Sequence, residues 1–228
     1  MRGYGQFCPV AKAAEVVAER WTPLVIRELV CGSQRFNDIR KGVPLMSPTL
    51  LSQRLKSLEA AGVVQRLRTG NGTEYRLTPA GEELRPLIEM LGTWGLRWVQ
   101  NQMRKDDLDP GILMWDMRRR IALDALPETR TVLQFTITGV PKPKRDWWLV
   151  GDRHGIELCL KDPGFDVDLY VLSDIATMAD VWLGEIRLEA ALASGRIELQ
   201  GTRDMQRIFR RALQLSVFAG IARPRRAA

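Results

Sequence analysis

The stretch Leu45-Met46-Ser47-Pro48-Thr49-Leu50-Leu51-Ser52-Gln53-Arg54-Leu55-Lys56-Ser57-Leu58-Glu59-Ala60-Ala61-Gly62 decides the fold. Ser47 reads as an N-cap, Pro48 as the first helical residue and Gly62 as the left-handed stop. Between them Leu51, Leu55 and Leu58 recur at spacings of four and three and form one narrow apolar stripe. At about 100° per residue, Thr49, Gln53, Lys56 and Ser57 fall on the opposite face. That face has hydrogen-bonding side chains, a positive charge and no carboxylate, since Glu59 points away from it. A capped helix with one buried and one cationic face suits the major groove of DNA. Taken alone, it also describes an ordinary amphipathic surface helix.

The residues after Gly62 separate these readings. Val63 to Arg68 and Thr73 to Leu77 are strand-like runs joined by Thr69-Gly70-Asn71-Gly72, whose Asn-Gly pair signals a hairpin. Arg66, Arg68 and Arg76 stud it. A helix followed by a basic two-stranded ribbon is the winged-helix arrangement, with the wing reaching along the phosphates. The candidate DNA contacts are Ser47, Thr49, Gln53, Arg54, Lys56 and Ser57 on the helix, and Arg66, Arg68, Asn71 and Arg76 on the wing. The alternative for the hairpin is a solvated basic turn.

Charge placement supports DNA. The chain of 228 residues has a formal net charge of +7 and 45% hydrophobic content, which fits a soluble globular protein of one or two domains. Residues 1–105 hold 16 Lys and Arg against 9 Asp and Glu, whereas residues 106–228 hold 18 against 18. All of the net positive charge therefore lies in the half with the helix and the wing, and attraction to phosphates is its simplest use. No run approaches a membrane span and no apolar signal region opens the chain, so a cytoplasmic protein with no membrane partner is expected. Cys8, Cys31 and Cys159 are too few and too scattered for a disulfide framework, and one histidine, His154, supports no metal site.

Upstream, Met1 to Phe7 reads as a loosely ordered arm. Pro9 opens a helix with Val10, Ala13, Ala14 and Val17 on one side. Arg20-Trp21-Thr22-Pro23 restarts the chain into a buried helix of Leu24, Val25, Ile26, Leu29 and Val30. Arg35 to Lys41 is a short third helix closed by Gly42. Helix, helix, short helix, recognition helix and hairpin make a helix-turn-helix core with a wing. The residues Cys8-Pro9-Val10, Arg20-Trp21, Arg35-Phe36-Asn37-Asp38-Ile39, Leu51-Ser52-Gln53-Arg54-Leu55 and Glu74-Tyr75-Arg76-Leu77-Thr78-Pro79-Ala80-Gly81 resemble the HxlR family of bacterial transcription regulators, MarR-like winged-helix proteins. The resemblance covers roughly residues 6–100. It implies a winged-helix fold, a homodimer and binding to a two-fold-related double-stranded operator.

Thr78-Pro79 starts a further helix, expected to run to about Met103 with bends at Pro86 and Gly92/Gly95. Trp94 and Trp98 on it are hard for a small core to bury alone, and the resemblance implies a terminal dimerisation helix. Packing against the domain's own core or the next domain is the alternative. The polar, breaker-rich Arg104 to Gly111 marks a boundary, giving a DNA-binding and dimerisation domain over 1–105 and a second domain over 112–222. The continuation beyond the boundary departs from the common family pattern.

The second half reads as an α+β layer with a mostly antiparallel sheet. Helices are expected at Ile112 to Leu123, Ile175 to Glu185, Leu188 to Ala193 and Arg203 to Ile221. Strands are expected at Thr131 to Thr138, Trp147 to Asp152, Ile156 to Leu160, Asp166 to Leu172 and Ile197 to Gly201. The tail Arg223-Pro224-Arg225-Arg226 reads as basic and disordered. Asp166-Val167-Asp168-Leu169, Leu183-Gly184-Glu185, Leu192-Ala193-Ser194-Gly195-Arg196 and Leu199-Gln200-Gly201 resemble the sterol carrier protein type 2-like domain. That resemblance implies an apolar tunnel between sheet and helices and a hydrophobic small-molecule effector. Leu133, Phe135, Trp148, Leu158, Leu169, Met178, Trp182 and Phe218 are the candidates for its lining. The alternative is an ordinary packed core.

No catalytic constellation, phosphate-cradling glycine loop or cofactor motif emerges, so neither an enzyme nor a cofactor is expected. Asp166 and Asp168 are the only paired carboxylates near the tunnel, and they read as a solvated strand edge. Cys8 stands before Pro9 at a helix start, where the dipole favours a thiolate. The family resemblance implies a redox or electrophile sensor there, and a structural cysteine under the arm is its rival. Cys31 reads as structural, Cys159 as exposed and His154 as a turn residue. The functional expectation is a homodimeric, sequence-specific DNA-binding regulator modulated by a hydrophobic small molecule. The alternatives are redox sensing through Cys8, a lipid carrier, or an enzyme acting on the pocket ligand.

Overall fold

The structure, a computed structural model, describes residues 3–70, 72–99 and 107–222. It divides into two compact units, one through Trp94 and one from Gly95. Residues 104–106 of the expected boundary at 104–111 lie outside the described residues, as does the tail at 223–226.

In the first unit the helices are α1 (Pro9–Val17), α2 (Thr22–Val30), α3 (Phe36–Gly42) and α4 (Pro48–Ala60). The wing strands β1 (Val64–Thr69) and β2 (Gly72–Leu77) follow, then α5 (Pro79–Glu82) and α6 (Arg85–Trp98), which runs across the division at Gly95. Val25 and Ile26 of α2, Ile39 of α3, and Leu51, Leu55 and Leu58 of α4 close on one another as the core. Each fully buried aliphatic side chain of this kind contributes roughly 1.5–3 kcal/mol. The arm is tied down rather than loose at Tyr4, whose N–H donates to Glu15 at 2.8 Å.

The helix expected from Thr78 breaks after Glu82, and Arg85 starts a new one. Pro86 therefore sits in the first turn of α6, where a missing N–H costs nothing, instead of bending a continuous helix. Within α5, Gly81 has no room for a β-carbon: one would lie 2.1 Å from the Val63 carbonyl, so the helix packs directly on the start of the wing.

The second unit holds α7 (Pro110–Arg119), β3 (Thr131–Thr138), β4 (Asp146–Asp152), β5 (Gly155–Cys159) and β6 (Leu169–Asp174). It continues through α8 (Ile175–Trp182), α9 (Leu188–Ala193), β7 (Ile197–Gly201) and α10 (Arg203–Ala212). The strand order is β5-β4-β3-β6-β7. Only β3 and β6 run parallel; the other neighbours are antiparallel. Leu133, Phe135, Leu149, Leu169, Val171 and Ile197 of the sheet form one cluster with Met114, Met117, Met178, Val181 and Phe209 of the helices. The Phe135 and Phe209 rings pack 6.0 Å apart. The last helix ends at Ala212 rather than Ile221, because Leu213 leaves it to bridge Ile121. The same bridge ends the expected Ile112 to Leu123 helix at Arg119.

Candidate nucleic-acid interface

The recognition helix has its expected caps. Ser47 accepts a hydrogen bond from the Leu50 N–H at 3.2 Å, and Gly62 takes φ +71° as the helix closes. Leu51, Leu55 and Leu58 are buried, so Thr49, Gln53, Lys56 and Ser57 are exposed on the far side. The Ser57 hydroxyl donates to the Gln53 carbonyl at 3.0 Å, which leaves its oxygen lone pairs outward as acceptors.

Arg54 is a correction. Its Nη2 lies 2.6 Å from Glu19 Oε1, and its Nε donates to the Arg20 carbonyl at 3.3 Å. The side chain is only 13% exposed. Spacing explains this: Arg54 follows Leu51 by three and precedes Leu58 by four, so it belongs to the buried stripe and not to the polar face. It clamps the corner where Trp21 adopts φ +77°, a left-handed conformation that non-glycine residues rarely take.

The hairpin register pairs Val64 with Leu77, Arg66 with Tyr75 and Arg68 with Thr73. Alternation therefore places Arg66 and Arg68 on one face of the wing and Arg76 on the other. Arg76 forms an ion pair with Glu74 at 2.7 Å, on the face opposite Arg66 and Arg68. Asn71 lies outside the described residues. The wing is anchored at its base, because the Tyr75 N–H donates to the Gln34 carbonyl at 2.7 Å just before α3.

The frame beneath contains a buried acid that sequence reasoning missed. Glu28 of α2 is fully buried and accepts from Arg27 at 2.7 Å and from the Ser33 hydroxyl at 3.1 Å. Arg27 also donates to the Gly42 carbonyl at 2.9 Å, so one guanidinium links α2 to the end of α3. Gly42 is required here: a β-carbon on it would fall 1.9 Å from the Glu28 carboxyl carbon. The only sequence signal was a charged pair inside an otherwise apolar helix.

In the second unit, Leu133, Phe135, Leu169, Met178 and Trp182 converge in the cluster between sheet and helices, with Leu158 packed against it. Trp148 is a correction. It pairs with Gln134 while Leu149 pairs with Leu133, so Trp148 stands on the opposite sheet face. Gln134, Val150 and Tyr170 share that face and are partly or fully exposed. Phe218 is half-buried in the segment after α10, where the Ser216 N–H donates to the Trp182 carbonyl.

The remaining candidates sort by their partners. Asp166 and Asp168 are both exposed and precede β6, which begins at Leu169 rather than at the expected Asp166; Asp168 accepts from the Val132 N–H of β3 at 2.8 Å and so fastens the entry to β6. Cys8 is the half-buried N-cap of α1, with no hydrogen bond from its side chain to the helix. Cys31 is exposed at the end of α2. Cys159 is half-buried rather than exposed, beside Trp148 on the next strand; burial, helped by the Glu157 charge, pushes its thiol up. Among the described residues no cluster of His, Cys, Asp and Glu is arranged to hold a metal ion. No helix among them is long and apolar enough to cross a membrane.

The N-terminal half is similar to known proteins. A family model described as HxlR-like helix-turn-helix matches residues 16–103. The uncharacterized HTH-type transcriptional regulator YvaP of Bacillus subtilis is 38% identical over 98 residues, covering 41% of this chain and 91% of YvaP. YdeP of the same organism, named likewise, is 31% identical over 94 residues, covering 40% of this chain and 73% of YdeP. A structure of the redox regulator HypR in its oxidized form is 29% identical and covers 43% of this chain and 99% of HypR, with a TM-score of 0.38. The capped α4, the wing and a YvaP match over nearly that protein's whole length lead to one assignment: this chain belongs to the HxlR family of helix-turn-helix transcriptional regulators.

Proposed function

We propose that the protein is a homodimeric, sequence-specific regulator that reads DNA with Thr49, Gln53, Lys56 and Ser57 of α4 and grips phosphates with Arg66 and Arg68 of the wing. The observation that carries this reading is the polar face of α4, exposed, cationic and free of carboxylates, on a helix pinned by three buried leucines. Gln53 has the amide that pairs bidentately with adenine, and Lys56 the ammonium that suits guanine. A dimer is supported by the exposed apolar stripe Leu87, Leu91, Trp94 and Trp98 on α6, repeating at spacings of four, three and four. Two such α4 helices would address half-sites about one or two helical turns apart. The test is a mobility shift with the DNA upstream of the protein's own coding sequence. A retarded, sequence-selective complex is expected, and no retardation at low salt refutes the reading.

The second domain is proposed as the sensor, built on the sterol carrier-like plan and occupied by a hydrophobic small molecule. Support comes from the apolar cluster of Leu133, Phe135, Leu169, Met178 and Trp182 between sheet and helices, with Leu158 at its margin. Such a ligand shifts DNA binding only by its differential affinity for two states, typically about 1–3 kcal/mol. Native mass spectrometry of protein taken directly from cells tests it: added mass of an apolar compound is expected, and bare chain refutes it. Cys8 offers a second input, since it is partly accessible and tied by no cap hydrogen bond.

A further inference from the structure

Helix α10 carries Arg203, Arg207, Arg210 and Arg211 at spacings of four, three and one, which places all four on its outward side. The inward side is Phe209 and Ala212, both buried, with Met205 and Ile208 packed beside them. The four arginines and Gln206 line one shallow open groove. Gln206 is the floor of this platform: its amide donates to the Gly201 carbonyl at 3.1 Å and so fastens α10 to β7.

This cluster is a matter of placement and not of composition, because residues 106–228 carry equal numbers of basic and acidic side chains. Two carboxylates reach the arginines. Asp204 meets Arg207 at 2.8 Å and Glu189 meets Arg210 at 3.0 Å. Both pairs are solvent-exposed, and such pairs contribute at most about 1 kcal/mol, so a phosphate can displace them. Among the described residues no carboxylate lies within ion-pair distance of Arg203 or Arg211. Every cation here is a guanidinium, whose planar fork takes two phosphate oxygens at once.

We propose that α10 is a second DNA-binding surface, which grips the phosphate backbone of duplex DNA and reads no bases. From Arg203 to Arg211 the helix rises about 12 Å. One DNA strand passes three or four phosphates in that distance, at about 3.4 Å of axis each. The strip is long and open, which suits a polyanion and not a small anion that needs enclosure. The winged-helix reading makes duplex DNA the polyanion at hand for this chain. The inference rests on the DNA reading above.

The test uses the full chain and a long fluorescent duplex from its own upstream region, with affinity followed across a salt series. One variant combines Arg203→Ala, Arg207→Ala and Arg211→Ala. A control combines Lys142→Ala, Arg153→Ala and Lys161→Ala, exposed cations elsewhere in the second unit. Thermal melting confirms that both fold. The α10 variant is expected to bind more weakly at low salt, with a salt slope shallower by about two to three per protomer. Its preference for the upstream duplex over a scrambled one stays as in wild type, and the control keeps the wild-type slope. An α10 variant with the slope of wild type or of the control overturns this inference while leaving the DNA reading intact. A loss confined to binding of anionic lipid vesicles overturns it in favour of a membrane surface. A wild-type chain that binds no duplex overturns both readings together.

Discussion

Arg54 of the recognition helix places its guanidinium 2.6 Å from the Glu19 carboxylate, on the side of α4 turned away from its polar face. The same side chain donates to the Arg20 carbonyl, next to the left-handed Trp21. Arg54 therefore sets where α4 sits relative to the α1–α2 corner. Arg54→Ala is expected to cost about 1.5–3 kcal/mol, the range for hydrogen bonds to charged groups. Denaturant melts measure this. The ratio of operator to scrambled-duplex affinity should hold in the folded fraction, and loss of that ratio at full stability would mean that Arg54 touches bases.

A β-carbon on Gly42 would fall 1.9 Å from the carboxyl carbon of Glu28. Gly42→Ala is expected to destabilise by about 1–3 kcal/mol through overpacking against a buried carboxylate. Glu28→Ala alone should also destabilise, because it removes the buried carboxylate to which both Arg27 and Ser33 donate. The double variant should cost less than the sum, since each change relieves the other. Strict additivity in urea titrations would show that the two sites do not meet.

Asp174 caps α8. Burial pushes its carboxyl up, but hydrogen bonds from the Thr177 hydroxyl at 2.5 Å and the Thr177 N–H at 2.9 Å outweigh this and hold it below the ordinary carboxylate range. A depressed folded-state value means stability that is present at neutral pH and is lost as pH falls through the carboxylate range. Asp174→Ala is expected to lower stability by about 1 kcal/mol at pH 7 and by less in acid. A cost that stays constant down to pH 2 would contradict the assignment.

On α6, Leu91 and Trp94 stand about half exposed on a stripe with Leu87 and Trp98. The double variant Leu91→Glu/Trp94→Glu is expected to be monomeric by light scattering and to lose at least tenfold in operator affinity, since one half-site then binds without its partner. A dimer that survives both charges would place the interface elsewhere.

Much of this was legible before any coordinates. Ser47, Pro48 and Gly62 bound α4 within a residue because caps are local chemistry, and the Asn71-Gly72 step announces the wing for the same reason. All five strands of the second unit are visible as apolar runs bounded by turn residues, although β6 begins at Leu169 and not at Asp166. What escaped depends on partners distant in sequence. Glu19 is 35 positions from Arg54, and nothing local says that this arginine has a carboxylate to meet. Trp148 sits in an apolar run on both sides, so only the register against Gln134 fixes its face. Residues beyond Ala212 keep helical periodicity, yet Leu213 pairs with Ile121 across the chain. The arginines of α10 are visible as a spacing, but only the buried Phe209 and Ala212 show which way they point.

The central claim is that α4 reads base edges through Gln53 and Lys56. Its most direct measurement is fluorescence anisotropy of wild type and Gln53→Ala against the selected operator and a scrambled duplex at one fixed salt concentration. The account predicts that Gln53→Ala loses about 1–3 kcal/mol of operator affinity, while affinity for the scrambled duplex hardly changes. Equal weakening on both duplexes, or no change on either, would contradict it.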